Sequence, residues 1–315
     1  MKRTQWDPGL EAALERRGGR YLRRGQPGYP DLGALRDPPE ILTLRGSLAG
    51  AGAGPVPPAV AVVGARRADP GALRIARAFG NGLARAGFTV VSGGALGIDA
   101  AAHEGALEAG GATVAVLGSG VLQPTPRQNR RLFARILEAG GGLCAELPPD
   151  APACPWHFPV RNRLVVGLAR AVVVIRAADG SGCAHTVDYA RELRRPVFAL
   201  APEEPVPRNG LVEQLLRPGL FGERAAVPVR DVDELLCRLG AQRERAEPPG
   251  LEPRERQVLS ALCDLPAPLG AIAAAARVEP AEAARMLASL CARGLARAAG
   301  PGRFAAGRSV GWDGG

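Results

Sequence analysis

The chain has 315 residues, 46% of them apolar and 23% charged, which suits a sizeable core and excludes global disorder. The net charge of +9 favours an acidic partner, nucleic acid ahead of a membrane surface, but lysine occurs only at Lys2 and the heavy use of Arg, Ala, Gly and Pro discounts the total. Six cysteines scattered without CxxC pairs argue for reduced thiols, and no apolar stretch is unbroken enough to span a bilayer, so a soluble, cytoplasmic protein is expected.

Residues 1–58 lack sustained periodicity and are rich in Pro and Gly, with turns at Tyr29-Pro30 and Asp37-Pro38-Pro39 around short extended pieces such as 41–44. They read as an extension packing on the main domain. From 59 to about 220 apolar runs recur at 59–63, 88–92, 112–117, 142–146, 171–175 and 196–200. Segments of helical period lie between and after them, at 71–86, 98–109, 127–139, 161–169, 181–194 and 209–217. Such alternation predicts βαβ units and a parallel sheet, and strands made almost wholly of Val, Ala, Leu and Ile are those of a sheet buried on both faces. The main domain is expected over 59–240. The charged segment 241–250 reads as a linker. Beyond it, 254–264, 269–276 and 280–294 read as three short helices, and 295–307, centred on Gly300-Pro301-Gly302, as a hairpin wing. A winged-helix-like module over 251–315 follows. Its eight Arg against six acidic residues give no charge argument for a nucleic-acid groove.

Ligands of an open α/β sheet bind beyond the carboxyl ends of its strands. Five segments here meet that rule. The first strand ends in Gly64-Ala65-Arg66, where a dinucleotide loop would need small residues; bulky cations at that mouth point instead to a row of phosphates. The second leads into Ser92-Gly93-Gly94-Ala95-Leu96-Gly97, a turn whose bare amides and following helix suit an anion. The third is followed by Gly118-Ser119-Gly120 and then Arg127, Asn129, Arg130 and Arg131. The fourth leads to Trp156-His157-Phe158, with Arg161-Asn162-Arg163 opening a helix, and the fifth to Ser181-Gly182-Cys183-Ala184-His185-Thr186. Glycine turns alone are weak evidence, since tight strand-to-helix turns need glycine anyway; the convergence of arginines strengthens them.

The succession VGARR (63–67), VSGGALGIDAAAH (91–103), TVAVLGSG (113–120), FPVRNRLVVGL (158–168), DGSGCAHTVDYA (179–190) and PVFAL (196–200) resembles the DNA-processing protein A family, DprA or Smf, over roughly residues 29–220. The resemblance implies an extended Rossmann-like domain with helices on both faces that binds single-stranded DNA without being an enzyme or holding a cofactor. It further implies a homodimer that loads RecA recombinase during natural transformation, and it accommodates the C-terminal module. By position Arg66 matches the arginine of the family's first-strand motif, which grips the DNA backbone, and Arg127 or Arg130 supplies the basic residue after the third strand. The chain departs from the family's pattern at Thr125-Pro126, where Tyr-Pro is frequent, at Ser181-Gly182-Cys183-Ala184, and at Arg176, where Glu is common.

Each residue also carries a plainer reading. Arg66 either holds a phosphate or pairs with Asp69. Arg161 and Arg163, at a helix start, oppose the helix dipole unless an anion is near, either a phosphate or a buried Asp179 or Glu146. Asn162 caps its helix or contacts phosphate. Asp99 and His103, four residues apart on one helical face, form a catalytic dyad or brace the glycine turn. Trp156 and Phe158 stack on bases or anchor the core. Cys154 and His157 are too meagre a pair for zinc. The rival of another class is a nucleotide-hydrolysing enzyme resembling the lysine-decarboxylase-like phosphoribohydrolases, but segment 179–184 lacks their Pro-Gly-Gly-x-Gly-Thr register.

Overall fold

The computed structural model describes residues 8–48, 58–201, 209–217, 225–240, 250–262 and 266–307. Most of the expected linker, 241–249, lies outside them. The chain divides into two compact units between Arg230 and Asp231, ahead of that linker.

Unit 1 is built on a nine-stranded sheet of order β1-β2-β6-β5-β4-β3-β7-β8-β9. The expected Val/Ala runs form its parallel part: β3 (Ala59–Val63), β4 (Thr89–Ser92), β5 (Thr113–Val116), β6 (Gly142–Ala145), β7 (Ala171–Val174) and β8 (Val197–Leu200). Every residue of these strands is buried, as a sheet covered on both faces requires. Three elements go beyond the sequence expectation. Helix α1 (Pro8–Glu15) precedes β1 (Gly19–Arg23), which pairs antiparallel with β2 (Ile41–Gly46), and β2 pairs antiparallel with β6. The N-terminal extension is therefore part of the sheet. At the opposite edge β9 (Val227–Val229) adds parallel to β8, its Pro228 tolerated as on any sheet edge.

Period-two alternation sends the strand residues to two cores. Val114, Val116 and Cys144 pack with Leu164, Val165 and Val166 of α5 (His157–Leu168), Val187 and Ala190 of α6 (Cys183–Glu192), and Leu211 and Val212 of α7 (Gly210–Leu216). Ala115, Leu143 and Ala145 face the other way, against Leu14 of α1 and Leu132, Phe133 and Ile136 of α4 (Arg130–Glu138). Helices thus cover both faces. Two more, α2 (Pro70–Arg85) and α3 (Ile98–Glu108), cross main chain against main chain. A Cβ at Gly80 would overlap the carbonyl of Ala102, and one at Gly105 the carbonyl of Arg77. The Arg77 side chain pairs with Glu104 and Glu108 along the same seam.

The strand order creates the place for a ligand. From β3 the chain steps outward through β4, β5 and β6, then returns across β3 to β7 and continues to β8 and β9. The loops leaving β3 and β7 therefore depart in opposite directions, opening a crevice at the carboxyl ends in the middle of the sheet.

Unit 2 comprises α8 (Val232–Arg238), α9 (Pro253–Ser260), β10 (Ala267–Pro268), α10 (Leu269–Ala276), α11 (Pro280–Ala292), β11 (Ala296–Ala298) and β12 (Arg303–Ala306), with strand order β10-β12-β11. From α9 onward the three expected helices and the β11–β12 hairpin surround a core of Val258, Leu259, Ile272, Leu287 and Leu290. Arg254 pairs with Glu282, and Arg293 with Glu255 at 3.3 Å, so charges of α9 and α11 engage one another. Among the described residues no helix is long and apolar enough to cross a membrane.

Candidate functional site at the carboxyl rim

The glycine-rich turn after β4 is held from inside. The carboxylate of Asp99 accepts from the amides of Gly93 at 3.1 Å and Ala95 at 3.3 Å. From the other side the Asn129 amide group donates to the carbonyls of Gly94 at 2.9 Å and Ala95 at 3.1 Å. The Ser92 hydroxyl donates to the Val62 carbonyl at 2.6 Å. Gly97 has φ +83°, and a Cβ there would come within 2.7 Å of the Arg66 carbonyl, so only glycine lets this turn close on the β3 loop. Phosphate contacts were expected from Ser92, Gly93, Gly94, Gly97 and Asn129; the Gly93 amide is engaged by Asp99, and the Ser92 and Asn129 side chains by main-chain carbonyls. Burial pushes the Asp99 carboxyl up, and the nearby Arg161 charge opposes that shift.

Helix α5 begins at His157 rather than 161, because Pro159 falls in the first turn, where its missing N–H breaks no helical bond. Arg161 and Arg163 accordingly lie in the second turn, away from the positive pole, and both are buried at 7% and 8% exposure. One Arg161 nitrogen donates to the carbonyls of Gly93, at 2.6 Å, and of Val116, tying together the ends of β4 and β5. Burial lowers its pKa to about 10, with Asp99 opposing and the Arg66 charge adding to the fall, so it stays cationic at neutral pH. Arg163 pairs with Glu146 at 2.5 Å. That is the ion-pair alternative, with Glu146 as its partner; Asp179 accepts instead from Gln214 at 2.7 Å. Asn162 neither caps α5 nor faces outward alone: it accepts from Arg161 Nε at 3.1 Å and donates to the Gly182 carbonyl at 3.1 Å.

Asp99 and His103 do not form a dyad. His103 is fully buried, its Nδ1 lies 2.6 Å from the Thr113 hydroxyl, and that hydroxyl donates to the Val90 carbonyl at 2.7 Å. Thr113 therefore accepts from Nδ1–H. Burial, helped by the Arg161 charge, depresses the His103 pKa to about 3, which keeps the ring neutral. Thr186 is buried a turn inside α6 and is also removed from the mouth.

What remains outward is a smaller set. Arg66 is exposed, and its guanidinium lies 5.1 Å above the centroid of the Phe158 ring, a cation–π arrangement. It makes no side-chain hydrogen bond or ion pair among the described residues. Asp69, its alternative partner, caps α2 by accepting from the Ala72 amide at 3.0 Å and pairs with Arg176 at 2.8 Å. Arg66 and Arg161 are close enough to sense one another's charge, so the first-strand arginine and α5 share one side of the rim. Arg127, Arg130 and Arg131 are exposed next to Asn129, whose bonds to the 93–97 turn fix them near that same turn. Gly182 is exposed at the start of α6, with Ser181 partly so. The bracing role offered for Asp99 is the one seen here, whereas sequence reasoning missed Asn129 as the second partner of the turn and Arg176 as the partner of Asp69. The signal for Asp99 was an aspartate at the second position of the helix that follows the glycines.

A family model described as DNA recombination-mediator protein A matches residues 20–219. Among curated relatives, the protein Smf of Synechocystis is 33% identical over 287 residues, covering 81% of this chain and 72% of the relative. A putative DNA processing protein DprA of Mycobacterium tuberculosis is 37% identical over 246 residues, covering 76% of this chain and 62% of the relative. Among solved structures, DNA processing protein A of Streptococcus pneumoniae superposes with a TM-score of 0.61 at 31% identity, over 72% of this chain and 77% of that one. DNA processing protein A of Helicobacter pylori, solved for its single-stranded DNA binding mode, gives 0.59 at 26% identity over 70% and 95%.

Proposed function

The chain belongs to the DNA recombination-mediator protein A family, and from that membership we propose that it binds single-stranded DNA by its phosphates along the carboxyl rim of the parallel sheet. One observation carries the reading: Arg66 stands at the switch point, exposed, stacked on Phe158 and engaged by no carboxylate among the described residues. A guanidinium so placed keeps its full charge and its fork of donors for a phosphate. Arg127 and Arg130 extend the positive rim past the 93–97 turn, and the exposed Gly182 at the start of α6 adds an amide, the Ser181 amide being engaged by the Ala178 carbonyl. Arg161, Asn162 and Arg163 serve this surface from beneath, by fixing the ends of β4, β5 and the turn after β7.

Fluorescence anisotropy with a labelled oligothymidylate across a salt series tests this. Binding weakens with salt as counterions are released, by about 0.7 log units per log unit of salt for each phosphate neutralised. Arg66→Ala binds several-fold more weakly with a slope shallower by about 0.7 for the phosphate it no longer neutralises. Binding that ignores salt, or no binding, overturns the proposal.

Within the same reading the role is non-enzymatic, and the protein acts as a cytoplasmic homodimer that hands its strand to RecA recombinase. Family membership is the support for the handover and the dimer. The rival nucleotide-hydrolysing reading needs a carboxylate at the turn before α6; Asp179, which that turn offers, is hydrogen-bonded to Gln214. Turnover of a nucleoside monophosphate would revive it.

A further inference from the structure

Among the described residues three large apolar side chains are exposed: Ile75, Leu96 and Trp156. Trp156 is the extreme case at 64% exposure, although an aromatic side chain is among the groups that gain most from burial. Two of the three lie on the segments that surround Arg66. Leu96 precedes Gly97, where the 93–97 turn touches the Arg66 main chain. Trp156 precedes α5, two residues before the Phe158 ring that carries the Arg66 guanidinium, with its own ring edge-on to His157 at 5.8 Å and 77°. An exposed indole thus lies two residues along the chain from the ring that carries a cation no described carboxylate engages, the pairing that a nucleotide presents in reverse: an anionic phosphate joined to a flat, weakly polar base.

We infer that Trp156 is a stacking platform for unpaired bases, so that the rim reads a strand's bases as well as its phosphates. This rests on the single-strand reading above. Stacking on an aromatic face is open to every base but requires the base to leave a duplex, so the platform selects single strands over double ones. It also accounts for an aromatic ring kept in water at the start of α5, where core anchoring does not.

The test uses the full-length chain with Trp6→Phe and Trp312→Phe, leaving Trp156 as the sole indole. Two probes carry the same number of phosphates: an oligothymidylate and an abasic oligodeoxyribose phosphate. The oligothymidylate quenches Trp156 fluorescence with the midpoint seen by anisotropy, whereas the abasic strand binds more weakly, with the same salt slope and little quenching. Trp156→Ala lowers oligothymidylate affinity about ten-fold, towards that of the abasic strand, without changing the salt slope, and Trp156→Phe restores most of the loss. Equal affinity for both probes, together with a Trp156→Ala effect under two-fold, overturns the platform while leaving the Arg66 phosphate grip intact. Failure of both probes to bind wild type overturns the grip and the platform together.

Discussion

Arg161 and Arg163 are buried in the second turn of α5, the first bonded to two carbonyls and the second paired with Glu146 through one nitrogen while its Nη1 has no hydrogen bond, whereas Arg66, Arg127 and Arg130 stand exposed at the same rim with no side-chain hydrogen bond or ion pair among the described residues. The residue type is the same and so is the end of the sheet. What differs is solvent. A buried guanidinium must be given its partners by the fold, since desolvation without them costs several kcal/mol, and once given them it has nothing left for a ligand. An exposed one keeps its hydration and its charge until a phosphate displaces the water. Closeness to a ligand crevice is thus no measure of ligand contact; the test of a candidate arginine is whether the protein has already engaged it.

The contrast breaks most visibly at its buried side. Arg163→Met removes the cationic partner of the buried Glu146 and should destabilise unit 1 by about 3 kcal/mol, read as a lower urea midpoint, with DNA affinity of the remaining folded protein little changed. Affinity abolished without any shift of the midpoint would place Arg163 among the residues that touch DNA instead.

Acid sharpens the same division. His103 is neutral in the fold, with its pKa depressed to about 3, but in the unfolded chain it titrates near 6.5. Between these values the unfolded state binds the extra proton, so stability is full above about pH 6.5 and falls as pH drops, by up to about 1.4 kcal/mol per pH unit. Denaturation curves at several pH values for wild type and His103→Gln should show a shallower acid slope in the variant. Identical slopes would mean that another group governs the loss.

On the exposed side the effects move to binding. Arg66→Ala should leave stability within about 0.5 kcal/mol, as a surface substitution does, while weakening oligothymidylate binding several-fold. Smaller still, Arg130→Ala and Arg127→Ala should each weaken binding by no more than a few-fold and make the salt slope shallower by about 0.7 for every phosphate left unneutralised. An unchanged slope in both would confine the phosphate track to the neighbourhood of Arg66.

The sequence made the parallel strands legible because a Val/Ala run buried on both faces has no other common explanation, and the three C-terminal helices and their hairpin were legible for similar reasons of period and breaker. It concealed β9, whose Pro228 argues against a strand everywhere except at an edge, and β1, where five residues are too few for alternation to stand out. Pro159 likewise masked the first turn of α5. At the site, the position of Arg66 could be read from strand and loop alone. The fates of Asn129 and Arg161 could not: their partners lie 34 to 68 residues away in the chain, and only the folded sheet brings them together.

Gly80 and Gly105 let α2 and α3 meet without intervening side chains, and the loop of Arg66 runs directly into α2 while the 93–97 turn runs directly into α3. A track for a polymer of regular repeat needs its grips at a constant pitch. In the proposed track, two missing methyl groups buried in a helix crossing would be the gauge that sets it. Lengthening either side chain by one carbon would re-space the grips without touching a single charge.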